Sequence, residues 1–318
     1  MEFLRDKHIA YLNSLEDDKE KTMSSFRAES IRMGGIYWGL SSMLLLGIDI
    51  KDFQRERLRR FILSCFSESQ GGFGWSSGHD AHLTSTHYAI LVFEELGLEF
   101  EEKMKGRILD FVSANQNADG SFQCDRWGES DLRFAYDAVC VLSLLDKTGW
   151  KSRINFTALI DWVYSCQNVG DGGFGPNPGL ESHAAYTFCA VGALLIAGEE
   201  NIREKEKLAR WLSERQTFAG GFNGRPEKAP DVCYSWWILS SLAMLNKSHW
   251  IDKEALAKFI LRSQEKDKGG IADRPDCVAD VFHTFFGLAG LSLIDRERFG
   301  LGEISLEYAI ARGNNFFS

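Results

Sequence analysis

The 318-residue sequence contains no apolar run that approaches the roughly 18 residues of a membrane span. Its opening, Met1-Glu2-Phe3-Leu4-Arg5-Asp6-Lys7-His8, is too charged for the apolar core of a secretory signal, so a cytoplasmic location is expected. No long basic run offsets the net charge of -9, which excludes a general nucleic-acid or anionic-membrane surface and confines anion binding to local clusters. No Pro/Gly/Ser-rich linker divides the chain, and residues 1–318 read as a single domain. The seven cysteines (Cys65, Cys124, Cys140, Cys166, Cys189, Cys233, Cys277) are odd in number and scattered singly, as expected of reduced thiols rather than a disulfide framework. With 44% hydrophobic and 25% charged residues, the composition is that of a globular chain with a sizeable core.

What the sequence does have is a repeat. Gln70-Gly71-Gly72-Phe73, Gln116 to Asp119-Gly120-Ser121-Phe122, Gln167 to Gly172-Gly173-Phe174, Gln216 to Gly220-Gly221-Phe222 and Gln264 to Gly269-Gly270-Ile271 recur at intervals of about 50 residues, a period that suits helix pairs or large propeller blades. Before these turns, stretches such as Arg57–Leu63, Ala158–Val163 and Leu256–Leu261 place apolar residues three and four apart, as one face of a surface helix requires. After them, Val139–Leu145 and Phe286–Leu291 are apolar nearly all round, as in helices buried on every side. Helices therefore win over blades. Gly34–Leu40 matches the second helix of a sixth pair, so the expected fold is all-α: an α/α toroid of six hairpins, amphipathic helices outside and apolar helices inside.

Chemistry concentrates in Gly224-Arg225-Pro226-Glu227-Lys228-Ala229-Pro230-Asp231-Val232-Cys233-Tyr234-Ser235-Trp236-Trp237. Arg225 and Lys228 can grip an anion, and Asp231 with Cys233 can hold a thiophilic metal. Aligned on the first turn glycine, His82, His183, Asp231 and Asp280 fall at one offset, with Arg133, Cys233 and His283 about one step further on. If the inner helices are parallel, that level is the mouth where their N-termini converge, a place that favours anions. Asp231, Cys233 and His283 make a zinc set with one position open, and His183, Arg225, Lys228 and Tyr234 supply donors for a diphosphate. Below them, Tyr37, Trp38, Tyr88, Phe134, Tyr136, Tyr186, Trp236, Trp237, Phe285 and Phe286 are candidates for the lining of an apolar funnel, core packing being the alternative for each. A sugar-cleaving toroid using Asp231 and Asp280, and a catalytically silent scaffold, are competing readings.

These residues resemble the β subunits of protein prenyltransferases over about residues 5 to 294, through Arg32–Leu40, Gly78–Leu83, Asp119–Phe122, Glu181–Ala184, Asp273-Arg274-Pro275 and Phe282-His283-Thr284. Within that family, Gly224–Lys228, Asp231–Trp237 and Ala272–Pro275 are most similar to the type II branch, which modifies Rab-type small GTPases. The resemblance implies Zn2+ on Asp231, Cys233 and His283, and diphosphate recognition by His183, Arg225, Lys228 and Tyr234, with Trp237 against the isoprenoid. It also implies transfer of geranylgeranyl from its diphosphate to C-terminal cysteines through a zinc-bound thiolate. The expected partners are a helical-repeat α subunit and an escort protein presenting the GTPase. Asp273 matches a magnesium carboxylate of farnesyltransferases and is a candidate for Mg2+. Farnesyl and type I geranylgeranyl enzymes are the rivals inside the family.

Two positions depart from the family's pattern. Gly34 replaces a small Ser, which should leave the funnel floor at least as open, and His87 replaces an apolar residue of the lining. Residues 296–318 match no motif and receive no role.

Overall fold

The computed structural model describes residues 2–16 and 29–312. Among these, the outer helices are α1 (Arg5–Glu16), α3 (Asp52–Ser64), α5 (Glu102–Ala114), α7 (Phe156–Ser165), α9 (Lys205–Ser213) and α11 (Lys253–Arg262). Each precedes an inner helix: α2 (Arg32–Leu45), α4 (Leu83–Leu96), α6 (Leu132–Leu145), α8 (Ala184–Ile196), α10 (Tyr234–Met244) and α12 (Val281–Phe299). Each inner helix packs on the next, and α12 packs back on α2, closing a ring of six hairpins. The division follows the sequence. In α11 an apolar stripe of Leu256, Phe259 and Ile260 is buried and Asp252 caps the first turn through Ala255 N, whereas α8 carries no charged residue at all.

The recurring glycines explain how the hairpins join. Gly71, Gly120, Gly172, Gly220 and Gly269 all have positive φ, a left-handed conformation that costs glycine little. Each also lies against the backbone of the next outer helix: a Cβ on Gly120 would come 2.1 Å from the carbonyl oxygen of Ala158 in α7. The last of them, Gly269, meets Lys7 O of α1 in the same way, so α1 serves as the next outer helix and the ring closes through its N-terminal segment. The recurring glutamines brace this joint. Gln116 and Gln216 each bond both N and O of Asn155 and Asp252, the caps of α7 and α11, and Gln264 takes Leu4 N while donating to Glu2 O. Gln70 stands outside the register, because Phe66 takes the equivalent place and pairs with Phe73. His8, fully buried, accepts from Gly270 N at Nδ1 (3.0 Å), which leaves its proton on Nε2 for Gln264 Oε1 (2.9 Å).

The N-termini of the inner helices lie at one level. Met33 N donates to Trp75 O, Leu83 N to Cys124 O, Leu132 N to Pro176 O, Ala184 N to Gly224 O and Val232 N to Asp273 O, each tying one helix start to the loop before the next inner helix. At the opposite end the tail supplies a plug. Backbone geometry leaves the helix at Asp295, and β1 (Glu303–Ile304) pairs antiparallel with β2 (Ala311–Arg312). Tyr37 donates to Ala309 O (2.6 Å), Tyr136 to Glu307 O (2.7 Å), Gly302 N to Leu45 O (2.7 Å) and Ala311 N to Glu95 Oε1 (2.9 Å). The segment left without a role in the sequence thus closes the end opposite the mouth, with residues 313–318 outside the described residues. No described helix is long and apolar enough to cross a membrane.

Glu95 anchors the plug from inside the core. Burial pushes its carboxyl up to about 8 against the hydrogen bonds from Ala311 N and Ser41. The folded chain then holds a proton that the unfolded chain releases, so this group makes stability fall as pH rises from about 4.5 to about 8. Glu95→Gln should flatten that slope and gain about 1–3 kcal/mol on the wild type at pH 8. Urea unfolding at pH 6 and pH 8 measures it, and parallel slopes would clear Glu95.

Candidate active site at the mouth of the ring

The polar residues that share one offset in the repeat have a structural task in common. His82 caps α4 by accepting from Thr84 N, Asp131 caps α6 through Arg133 N, His183 caps α8 through Ala185 N, and Asp280 caps α12 through His283 N. Asp231 accepts from Cys233 N (2.8 Å) just before α10. Asp131 completes the level and is absent from the residues singled out by sequence, although it occupies the same offset from Gly120. Cap chemistry thus accounts for the ring of polar groups.

On the α10 side, three side chains converge. One ligand atom each from Asp231, Cys233 and His283 lie within 4.8 Å of one another. His283 Nε2 is 3.3 Å from Asp231 Oδ1, while its Nδ1 is 2.6 Å from Asp280 Oδ2, so Asp280 orients the imidazole. Burial works against ionisation of Asp231, but hydrogen bonds from His283 and from the Cys233 thiol and amide hold it below the usual carboxylate range. Burial, then the neighbouring Asp231 charge, pushes the Cys233 thiol well up. One carboxylate, one thiol and one imidazole at a half-buried mouth form a donor set that suits zinc, and a cation there offsets both the buried carboxylate and a deprotonated thiol. Asp280, with one oxygen on its helix and the other on His283, is already engaged, which removes the free carboxylate pair that sugar cleavage needs.

Beside this cluster lies a set of donors. His183 Nδ1 is occupied as a cap, so its proton sits on Nε2, 3.3 Å from the Tyr234 hydroxyl. Gly224 lets that phenol lie under the loop: a Cβ on residue 224 would come 2.3 Å from the Tyr234 ring and hydroxyl. Arg225 and Lys228 flank a turn in which Glu227 adopts φ 67, a left-handed conformation that non-glycine residues rarely take. Lys228 is exposed and Arg225 is half-buried, paired with Glu181. Asp273 sits near Asp231, but its carboxylate is taken by Arg274 (2.7 Å) and by the Cys277 thiol.

From His183 an aromatic belt runs round the inner wall. Ring pairs link Tyr186 to His183, His183 to Tyr234, Tyr234 to Trp237, Trp237 to Phe282, Phe282 to Trp38, and Trp38 to Tyr88, with centroids 4.9–5.9 Å apart. Trp38, Tyr88, Tyr186 and Trp237 keep accessible surface, as expected of lining. Phe134, Trp236 and Phe285 are instead buried in the packing between helices, and Tyr37 and Tyr136 turn their hydroxyls to the plug. Phe282, half-buried in the belt, was not anticipated as lining because it neighbours His283 in the motif. Gly34 also departs from expectation. It lies in the first turn of α2, at the mouth level rather than the floor, and the rings of Trp38 and Tyr88 stand 3.1–3.2 Å from where its Cβ would be. The space is filled, not open.

His87 puts a buried polar pair into the packing between α4 and α6 rather than into the lining. Its Nδ1 is 2.8 Å from Asp137 Oδ1, and Thr84 donates to Asp137 Oδ2 (2.6 Å), all with the His87 and Asp137 side chains almost fully buried.

Residues 3–310 match the prenyltransferase alpha-alpha toroid domain. The chain belongs to that family. It is 44% identical to the geranylgeranyl transferase type-2 subunit beta of Saccharomyces cerevisiae, over 92% of this chain and 89% of that one. It is 45% identical to the type-2 subunit beta 1 of Arabidopsis thaliana, over 93% and 89%. Identity to the farnesyltransferase subunit beta of Schizosaccharomyces pombe is 34%, over 92% and 78%. Among solved structures, a Candida albicans protein geranylgeranyltransferase-I complexed with GGPP superposes with a TM-score of 0.86 at 25% identity, covering 98% of this chain and 96% of that one. This prenyltransferase chain therefore shares both fold and extent with enzymes that transfer prenyl groups, and its likeness in sequence is to type-2 β subunits.

Two outcomes test the site. Cys233→Ser should abolish retention of one zinc per chain, read by metal analysis after dialysis, and an unchanged stoichiometry would remove Cys233 from the ligand set. His87→Leu should cost about 3 kcal/mol by stranding Asp137, while adding Asp137→Ala should recover part of that loss, because the two act as one buried pair. Urea unfolding of both singles and the double gives the coupling, and simple additivity would refute the pairing.

Proposed function

We propose that this chain is the catalytic β subunit of a type II protein geranylgeranyltransferase, moving geranylgeranyl from its diphosphate to C-terminal cysteines of Rab-type small GTPases. The observation that carries the reading is the junction at the start of α10, where residues 231–237 take part in the metal set, the anion donors and the aromatic belt together. A diphosphate held by His183, Arg225, Lys228 and Tyr234 leaves its lipid to run along Trp237, Phe282 and Trp38. Zinc held by Asp231, Cys233 and His283 supplies, when bound, the positive charge that lowers the pKa of a substrate thiol.

The side chains of this subunit do the rest. His183 Nε2–H and the Tyr234 hydroxyl point donors at the leaving oxygen, where negative charge grows as the C1–O bond breaks. Arg225 and Lys228 take up the charge of the departing diphosphate. The belt orients the chain so that C1 lies between the two clusters, a positioning effect of the kind that supplies several kcal/mol to a displacement. Five more carbons than farnesyl add at most about 4 kcal/mol of burial, at roughly 0.8 kcal/mol per methylene, enough to set lipid choice. A helical-repeat α subunit and an escort protein for the GTPase complete this reading, in a cytoplasmic setting.

Transfer of labelled geranylgeranyl to a Rab-type GTPase with a two-cysteine C-terminus, after co-expression with a candidate α subunit, tests it directly. Preference for tetrapeptide-terminated acceptors would favour the farnesyl or type I alternatives. Lys228→Ala should raise KM for the lipid diphosphate and slow transfer about 10-fold or more, as expected for removal of one charge-assisted contact. Normal kinetics in that variant would take Lys228 out of the site.

A further inference from the structure

The donor cluster contains one group of the wrong sign. Glu181 places Oε2 2.6 Å from Arg225 Nη1, in a set otherwise made of His183, Lys228 and Tyr234. We propose that Glu181 is a positioning and charge-tuning residue of the anion site: it fixes the Arg225 guanidinium and, by its own charge, limits how tightly a diphosphate is held. The inference rests on the reading of this cluster as the diphosphate site.

The placement of Glu181 is built into the loop. Asn168 Nδ2 bonds Leu180 O (2.9 Å) and the Ser182 hydroxyl (2.9 Å), and Ser182 also donates to Asp171 (2.7 Å), so the residues on both sides are held. A Cβ on Gly175 would come 2.4 Å from Leu180 O, which shows how closely the loop folds on itself. The contact to Arg225 uses a single guanidinium nitrogen and leaves the other edge of the fork for an anion. Glu181 also acts on the rest of the cluster. Burial and Arg225 lower the His183 pKa, and Glu181 works in the opposite direction, so its charge is felt at the imidazole.

Orientation and repulsion oppose each other, and charge is the larger effect. A diphosphate carries several negative charges, whereas holding one half-exposed arginine restricts a single side chain. Glutamine separates the two effects, since it keeps the length and the acceptor oxygen for Arg225 and removes only the charge. The proposal also gives the carboxylate a use in turnover: the product diphosphate must leave, and a neighbouring negative charge weakens its hold.

Calorimetry with inorganic pyrophosphate on the full chain tests this. Glu181→Gln should bind about five-fold tighter at low salt, with the gap to wild type closing as ionic strength rises and the charges are screened. Glu181→Ala, which also loses the orientation, should gain less, and Glu181→Asp should return towards wild type. In the transfer assay, Glu181→Gln should lower KM for geranylgeranyl diphosphate without raising kcat. Equal or weaker pyrophosphate binding by Glu181→Gln, or a gap indifferent to salt, overturns the proposal while leaving the diphosphate site standing. Wild-type chain that does not bind pyrophosphate overturns the site reading, and this proposal with it.

Discussion

The contact on which the architecture depends is backbone against backbone, at the glycine that starts each turn. Five times, a residue without a Cβ lets one hairpin settle on the main chain of the next outer helix, at distances no side chain would allow. Hydrophobic burial holds the helices together but does not choose their register, because apolar inner helices such as α8 are uniform round their circumference. The glycine joints choose it. The fifth joint falls on α1, so the same contact that spaces the hairpins also ends the series, and His8 with Gln264 seals the closure with hydrogen bonds inside the core.

Register at the joints puts every inner helix start at one height, and this is what assembles a site from residues far apart in sequence. His183, Asp231 and His283 belong to three successive hairpins. Their caps also set chemistry. A histidine that spends Nδ1 on its own helix must carry its proton on Nε2, so the need to cap α8 makes His183 a donor facing the mouth. Asp280 performs the matching service on α12, capping the helix and fixing His283 with the other oxygen. Structural and chemical demands on these residues coincide, and neither can be satisfied by moving the side chain elsewhere.

The period of about 50, the alternation of amphipathic and apolar helices, and the convergence of Asp231, Cys233 and His283 were legible in the sequence, because each is carried by a local pattern or by a string. The misreadings share another cause. Whether Phe285 or Trp237 faces the lumen depends on how two neighbours cross, not on spacing along its own helix, so core and lining aromatics looked alike. Gly34 suggested empty space, yet a missing Cβ is an invitation to nearby rings, and Trp38 and Tyr88 occupy it. The tail was illegible because its plug is made mainly with main-chain groups. Tyr37, Tyr136 and Glu95 bond to carbonyls and an amide, which any sequence provides.

The inner layer of the ring is consequently of two kinds. From α8 through α10 and α12 to α2 it is a belt of rings in mutual edge contact, and rings can tilt to admit a ligand at little cost. Between α4 and α6 it is the buried Thr84–Asp137–His87 triad, in which both carboxylate oxygens are used and Nε2 of His87 has no partner among the described residues. Moving any member of that triad would leave a buried carboxylate short of a partner, a loss of several kcal/mol. Any adjustment of the inner surface therefore falls to the belt, which begins at His183 and Tyr234, and the buried triad is the fixed side against which it moves.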